Sequence, residues 1–323
     1  MGKALIFDGN SILNRAFYGV RPLSAPDGLP TNALFGFVGM INKAFSQIGG
    51  SPSYAAIAFD LKDKTFRHKA CDTYKATRKP MPDDLALQLP YAHEIASALG
   101  LSVIEISGYE ADDILGTLSH EFSKLGEHTF IVTGDRDSFQ LINDNVTVLL
   151  TANDDTKVTT PVEIMEKYGV EPKKLIDVKA IMGDSSDNIT GVPGIGEKGA
   201  LKLISQYGSL DGVYENVDSI SGSIGNKLRD GKESAYTSRF LAEIKLDVPL
   251  GCELNDCAYN GHDVLKLREL YTRLGFRQFL EKLDATAVDV AETDETVLPI
   301  TELPLMLVPS TLTLPIPVSV SIQ

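Results

Sequence analysis

The sequence predicts an α/β protein in two parts: a parallel sheet flanked by helices, then a smaller helical domain. Three observations carry this. Short apolar runs recur, each closed by an aspartate, as in Lys3–Asp8 (KALIFD), Tyr54–Asp60 (YAAIAFD) and Thr129–Asp135 (TFIVTGD). Stretches with helical periodicity lie between them, which is the alternation that builds a parallel sheet. The second half has no such alternation and instead places a glycine-rich turn, Gly191–Ala200, before an amphipathic run through Leu201, Leu203 and Ile204.

In chain order, Lys3–Asp8 reads as a buried strand followed by a turn at Gly9-Asn10, and Thr31–Ile48 as the first long helix. Tyr54–Asp60 repeats the strand form. A helix is expected over Pro82–Leu99, a short strand over Leu101–Ile106, and a helix from about Asp112 to Leu125, where Leu115, Leu118, Phe122 and Leu125 form one apolar stripe. Thr129–Asp135 and Val146–Leu150 complete the strands.

The acids are the chemical signal. Asp8, Asp60 and Asp135 close strands, Asp137 follows two residues on, and Glu110, Asp112 and Asp113 crowd the start of a helix. Each has an ordinary explanation: Asp is a turn former, and acids cap helices and complement their dipoles. Together they do not, because in a parallel sheet the carboxyl ends of the strands share one crevice. Carboxylates crowded there repel one another, and a bound cation is the usual compensation. A set of oxygen donors without His or Cys suits hard ions such as Mg²⁺ or Mn²⁺. Two such ions about 4 Å apart can activate water and stabilise a leaving phosphodiester oxygen.

Between Lys62 and Lys79 the bases Lys62, Lys64, Arg67, Lys69, Lys75, Arg78 and Lys79 outweigh Asp63 and Asp72, with Phe66 and Tyr74 interleaved. A solvated charged face is the plain explanation. Because the segment follows Asp60 directly, it can also overhang the crevice, its bases meeting phosphates and its tyrosine stacking on a base. In the second half, Asp184 and Asp187 are spaced to face one way on a helical turn, with a cap or Asx turn as the bland alternative. A glycine-rich turn opening a helix presents N–H groups to a phosphate. GxxxxGK[ST] is absent, so a helix-hairpin-helix contact to a DNA backbone fits better than a nucleotide P-loop, with Lys198 and Lys202 beside it.

The net charge of −14 argues at first against a polyanionic partner. Seven acids against Lys282 alone follow Phe279-Leu280, however, and nine more belong to the proposed cluster, where two dications would offset much of the excess. Cys71, Cys252 and Cys257 have neither zinc spacing nor an even count, which suits a reducing compartment. No signal peptide is expected, since Lys3 leads straight into a strand. After Glu302 the chain is uncharged, but Pro304, Pro309, Pro315 and Pro317 argue against a membrane helix. A largely unstructured tail is expected over 286–323, with some β character at Val318–Ile322.

IFDGNS at 6–11, AFD at 58–60, YKATR at 74–78, GYEADD at 108–113, TGDRD at 133–137, GDSSDN at 183–188 and GVPGIGEK at 191–198 together resemble the 5′-nuclease domain of bacterial DNA polymerase I, a pattern shared by phage and flap-endonuclease relatives. The resemblance covers roughly residues 1–283. It implies a PIN-like nuclease domain over 1–165 with a helical arch at about 62–82, and a helix-three-turn-helix DNA-binding domain over 166–285. By the same likeness Asp8, Asp60, Glu110, Asp112 and Asp113 would surround one Mg²⁺, and Asp135, Asp137, Asp184 and Asp187 a second, Mn²⁺ being able to substitute. Lys75 and Arg78 would be catalytic. Arg67, Tyr74, Gly194, Gly196, Lys198 and Lys202 would contact DNA, with K⁺ at the glycine-rich turn.

The implied activity is structure-specific 5′-3′ exonuclease and 5′-flap endonuclease hydrolysis in primer removal and repair. DNA with 5′ ends, flaps or nicks is the expected partner, a DNA polymerase is a candidate one, and a cytoplasmic, nucleoid-associated monomer is expected. The tail resembles neither a proofreading nor a polymerase domain, so those activities are not expected. The alternative from another class is a DNA-structure-binding module without catalysis. A phosphohydrolase using Asp8 as nucleophile leaves the basic segment and the hairpin unexplained.

Overall fold

The computed structural model describes residues 2–152 and 155–293. Six strands form one sheet in the order β3-β2-β1-β4-β5-β6: β1 Lys3–Asp8, β2 Tyr54–Ala58, β3 Ser102–Ile104, β4 His128–Thr133, β5 Val146–Ala152 and β6 Asp155–Thr159. The first five are mutually parallel, and β6 returns antiparallel to β5. Strand order reverses beside β1, between β2 and β4, which opens a crevice at their carboxyl ends. Asp8, Asp60 and Asp135 lie at those ends.

The sheet carries helices α1 Gly9–Gly19, α2 Asn32–Gln47, α3 Phe66–Ala70, α4 Asp83–Ala86, α5 Leu89–Ala98 and α6 Ala111–Lys124. Expected Pro82–Leu99 is two helices rather than one: Pro90, at the start of α5, cannot continue a preceding helix. Gly9-Asn10 is not a turn but the first residues of α1. The Asp8 carboxylate caps that helix by accepting from Ser11 N at 2.9 Å, which lets strand pass to helix without a loop. On α6, Ile114, Leu115, Leu118 and Phe122 are buried in the core against β1, β2 and β4, as the stripe predicts. Leu125 is the exception, being exposed at the helix end.

The second half is α-helical: α7 Pro161–Tyr168, α8 Leu175–Met182, α9 Glu197–Tyr207, α10 Leu210–Glu215, α11 Gly222–Asp230, α12 Lys232–Ala242, α13 Val264–Leu274 and α14 Arg277–Thr293. A second core gathers Val178, Ile181, Val192, Ile195, Leu203, Ile204, Val213 and Leu228. The described residues up to Leu280 form one compact unit. Helix α14 runs to Thr293, past Leu283 where the apolar pattern ends and into the tail expected to be unstructured from 286; Ala285, Ala287, Ala291 and Glu292 are good helix formers, and no proline comes before Pro299. The β character expected at Val318–Ile322 lies outside the described residues. Among the described residues no helix is long and apolar enough to cross a membrane.

Gly9 sets how closely α1 approaches β2. A Cβ there would lie 2.4 Å from the Phe59 ring, which is held between Phe37 and His93. Gly9→Ala should therefore cost about 1–3 kcal/mol through overpacking, read as a lowered urea midpoint at unchanged slope.

Candidate metal centre

The crevice is a cavity of about 1170 Å³ whose walls include Asp8, Asp60, Glu110, Asp112 and Asp135, with Lys75, Arg78 and Lys79 along the same lining. Its rim is laced by side chains that sequence reasoning passed over. Asn10 Oδ1 accepts from Asp60 N at 2.8 Å, Ser11 Oγ accepts from Gly134 N at 2.9 Å, and Thr133 donates to Asp8 Oδ2 at 2.8 Å. These bonds tie the ends of β1, β2 and β4 together, so the carboxylates cannot relieve their repulsion by drifting apart. The turn-like spelling Asp8-Gly9-Asn10-Ser11 was the available signal.

Burial, then Asp60 and Asp135 nearby, push the Asp8 carboxyl up to about 7. Asp112 is driven well above the carboxylate range by burial and by Asp8, Asp135 and Asp137, and its Oδ1 is buried with no hydrogen-bond partner. A buried acceptor without a donor is costly, and a cation bound in the crevice would supply what is missing. The residues present therefore fit a hard divalent ion.

Asp137, Asp184 and Asp187 form a second group, with one oxygen of each within 4.8 Å of the others. Asp184 and Asp187 do not share a helical turn. They sit in a tight loop closed by paired bonds between Asp184 and Ile189, with Ser186 N donating to Asp184 Oδ1 at 2.8 Å, so the Asx turn is real. Protein cations already serve this group. Lys179 donates to Asp137 and lies 2.7 Å from Asp184, while Arg78 pairs with Asp187. Lys179 was missed because it lies on α8, distant in sequence from Asp137.

Three expected site residues are corrected. Asp113 is wholly buried and faces away from the cavity. Its carboxylate accepts both Arg67 Nη1 at 2.6 Å and Nη2 at 2.8 Å, and also Glu110 N and Lys245 N. It is not free to hold a metal. Arg67 is 2% exposed and spends its remaining donors on Leu241 O and Glu243 O, so it cannot reach DNA. Tyr74 is 3% exposed, its ring packed with Ile189, Leu241 and Ala242 and its hydroxyl donating to Glu110 Oε2 at 3.0 Å, which leaves no face for a base.

Nor is the segment over 62–82 a helical arch. Only α3 is helical before α4, and Thr73 to Ala76 lie in turns with Lys75 at φ 54. Two hydrogen bonds hold it down: Lys75 N donates to Asp187 O at 2.9 Å, and the Asn188 side-chain amide Nδ2 to Thr73 O at 2.7 Å. Lys75 Nζ nevertheless lies 2.8 Å from Glu110.

The glycine-rich turn stands apart from the cavity. Gly194 takes a positive φ, Gly196 caps α9 without any side chain, and Lys198 and Lys202 are exposed beside it. Lys227 donates to Gly194 O at 3.0 Å.

An α/β sheet whose switch point gathers carboxylates opposite lysine and arginine makes an acidic crevice with the donor set of a hard cation and a basic side. Comparison with known proteins sharpens this. Residues 3–169 match the model of the 5′-3′ exonuclease N-terminal resolvase-like domain, and residues 170–264 that of the 5′-3′ exonuclease C-terminal SAM fold. The chain belongs to the 5′-3′ exonuclease family found in DNA polymerase I. It is 43% identical to DNA polymerase I of Caldicellulosiruptor bescii over 88% of this chain and 34% of that protein, and 38% identical to the Bacillus subtilis enzyme over 91% and 33%. The chain thus spans about a third of the length of these relatives.

Solved structures give the same fold. T5 5′-exonuclease with bound zinc superposes with a TM-score of 0.61 at 20% identity, over 90% of this chain and 98% of that one. The catalytic core of Rad2 in complex with DNA substrate superposes with a TM-score of 0.55 at 15% identity, over 85% and 89%.

Three outcomes test this division of the acids. Asp113→Ala should destabilise the protein by about 3–5 kcal/mol, because it strands the Arg67 charge, and added Mg²⁺ should not restore the loss. Asp112→Asn should raise the urea midpoint in EDTA, since it removes an uncompensated charge. The native Asp8 carboxyl also binds its proton more tightly than in the unfolded chain, whose value is near 3.8. Metal-free stability should therefore fall as pH rises from about 4 to about 7, and urea midpoints in EDTA at pH 5.5 and 7.5 measure the slope.

Proposed function

We propose that this chain hydrolyses phosphodiesters near the 5′ ends of DNA, as a structure-specific 5′-3′ exonuclease and 5′-flap endonuclease dependent on two Mg²⁺ ions, with Mn²⁺ able to substitute. The observation that carries the reading is the partnerless buried oxygen of Asp112, set among Asp8, Asp60, Glu110 and Asp135 beneath a basic lip. Asp8, Asp60, Glu110 and Asp112 would hold the first ion, with Asp135 between the two groups; Asp137, Asp184 and Asp187 would hold the second. Bound there, such ions supply an activated water and stabilise the leaving oxygen.

The protein's part is to hold the phosphate and orient it. Lys75 and Arg78 line the cavity, each paired with a carboxylate, and can share their charge with a phosphate that enters. Lys79 extends the positive lip. At the glycine-rich turn, Gly194 and Gly196 leave the backbone of the α9 start uncovered, and exposed Lys198 and Lys202 suit the phosphates of a duplex. The Gly194 carbonyl now accepts from the Lys227 ammonium, and K⁺ bound at that turn would take this oxygen in its place. On this reading residues 1–165 act as the nuclease domain and 166–285 as the duplex-gripping domain. Primer removal and repair are the natural settings, with a DNA polymerase as working partner.

The structures of relatives support DNA as the substrate class: a T5 D15 flap endonuclease was crystallised with DNA and metal ions, and the Rad2 core with DNA substrate. A 5′-labelled flap and a nicked duplex, incubated with and without Mg²⁺ and resolved by product length, test the proposal. Cleavage should require the metal and fall at least about 10²-fold in Asp135→Ala with the melting temperature kept. Flap binding in EDTA with no product in Mg²⁺ or Mn²⁺ would leave a binding module instead.

A further inference from the structure

The two carboxylate groups are compensated in opposite ways. In the crevice, Asp112 Oδ1 is buried and bare. In the second group the place of a cation is already taken. Lys179 is a buried lysine, 9% exposed, on a helix whose neighbouring residues Val178, Ala180 and Ile181 are core. Its ammonium lies between Asp137, which follows β4, and Asp184, which follows α8. Arg78 covers the third member, Asp187.

We propose that Lys179 is a built-in competitor of the second metal ion: its ammonium closes the Asp137/Asp184 pair to divalent cations, so the crevice loads first and the second group loads only when Lys179 gives up its carboxylates. The inference rests on the proposal that both groups bind divalent ions. Geometry gives the competition its cause. An ion bridging Asp137 and Asp184 needs the oxygens that the ammonium holds, and two cations cannot share that space without strong repulsion. Lys179 acts here through the carboxylates as a positioning residue. It also joins the sheet half to the helical half, so its release loosens a contact between them.

The test is a Mn²⁺ titration of the full chain without DNA, with free Mn²⁺ followed by electron paramagnetic resonance. Wild-type protein should fill one site and then a second at least about tenfold more weakly. Lys179→Met should tighten the second site at least about tenfold and leave the first within about twofold, while Lys179→Arg, which keeps the charge, should leave the second site weak. Lys179→Met should also melt lower than wild type in EDTA and recover with Mn²⁺, an effect that a merely structural lysine would not give. Two equally tight sites in the wild type, or an unchanged or weaker second site in Lys179→Met, would overturn the proposal, and the wild-type titration decides even if that variant does not fold. No saturable Mn²⁺ binding by the wild type would sink the metal reading itself, a result distinct from saturable sites indifferent to Lys179.

Discussion

Crowded negative charge at the carboxyl edge of the sheet is the constraint on which the rest depends. Carboxylates from three strand ends, one helix start and one loop converge, and a folded chain cannot leave so many ionised and bare in a partly dry crevice. The molecule answers in three ways. Asp113 receives a full internal partner in Arg67. Asp137, Asp184 and Asp187 receive movable partners in Lys179 and Arg78. Asp8 and Asp112 receive too little, and theirs is the part of the edge that faces the cavity. The first ion of the proposed metal centre would therefore sit where compensation was withheld.

Convergence of the acids was legible because it follows from covalent order. A parallel sheet puts every strand's carboxyl end on one side, so an aspartate that closes a strand must arrive there whatever the packing details. The strands KALIFD, YAAIAFD and TFIVTGD needed only their apolar runs to be recognised. What order could not reveal was direction around a helix. Asp112 and Asp113 are neighbours in sequence but are turned about 100° apart on α6, so one meets the cavity and the other the α12–Lys245 segment. Nothing in GYEADD says which is which.

The basic segment shows the same limit from the opposite side. Its composition suggested a solvated or DNA-facing arm, and composition cannot distinguish an arginine that meets phosphate from one that meets a buried aspartate. Arg67 and Tyr74 were drawn inward by partners far along the chain, Leu241, Ala242 and Glu243, which become neighbours only after the second half folds onto the first. Lys75 and Arg78 stay along the cavity lining, where Glu110 and Asp187 hold them. Lys179 is the extreme case, an apolar-helix lysine whose meaning exists only in tertiary structure.

These contacts have a consequence for how the halves cooperate. The segment Thr73–Arg78 is bonded to the Asp187–Asn188 loop, the Asp184 side of that loop is bonded to Lys179, and Lys179 reaches back to Asp137 at the end of the sheet. Ion pairs and hydrogen bonds thus link the Thr73–Arg78 segment, the Asp184–Asn188 loop, α8 and the end of the sheet. On the proposed function, an anion entering at Lys75 and Arg78 would draw charge from Glu110 and Asp187, and each carboxylate so released would become a better ligand for a cation. Substrate and metal would then favour one another through the same residues, a coupling that needs no moving domain and that would work equally in both directions.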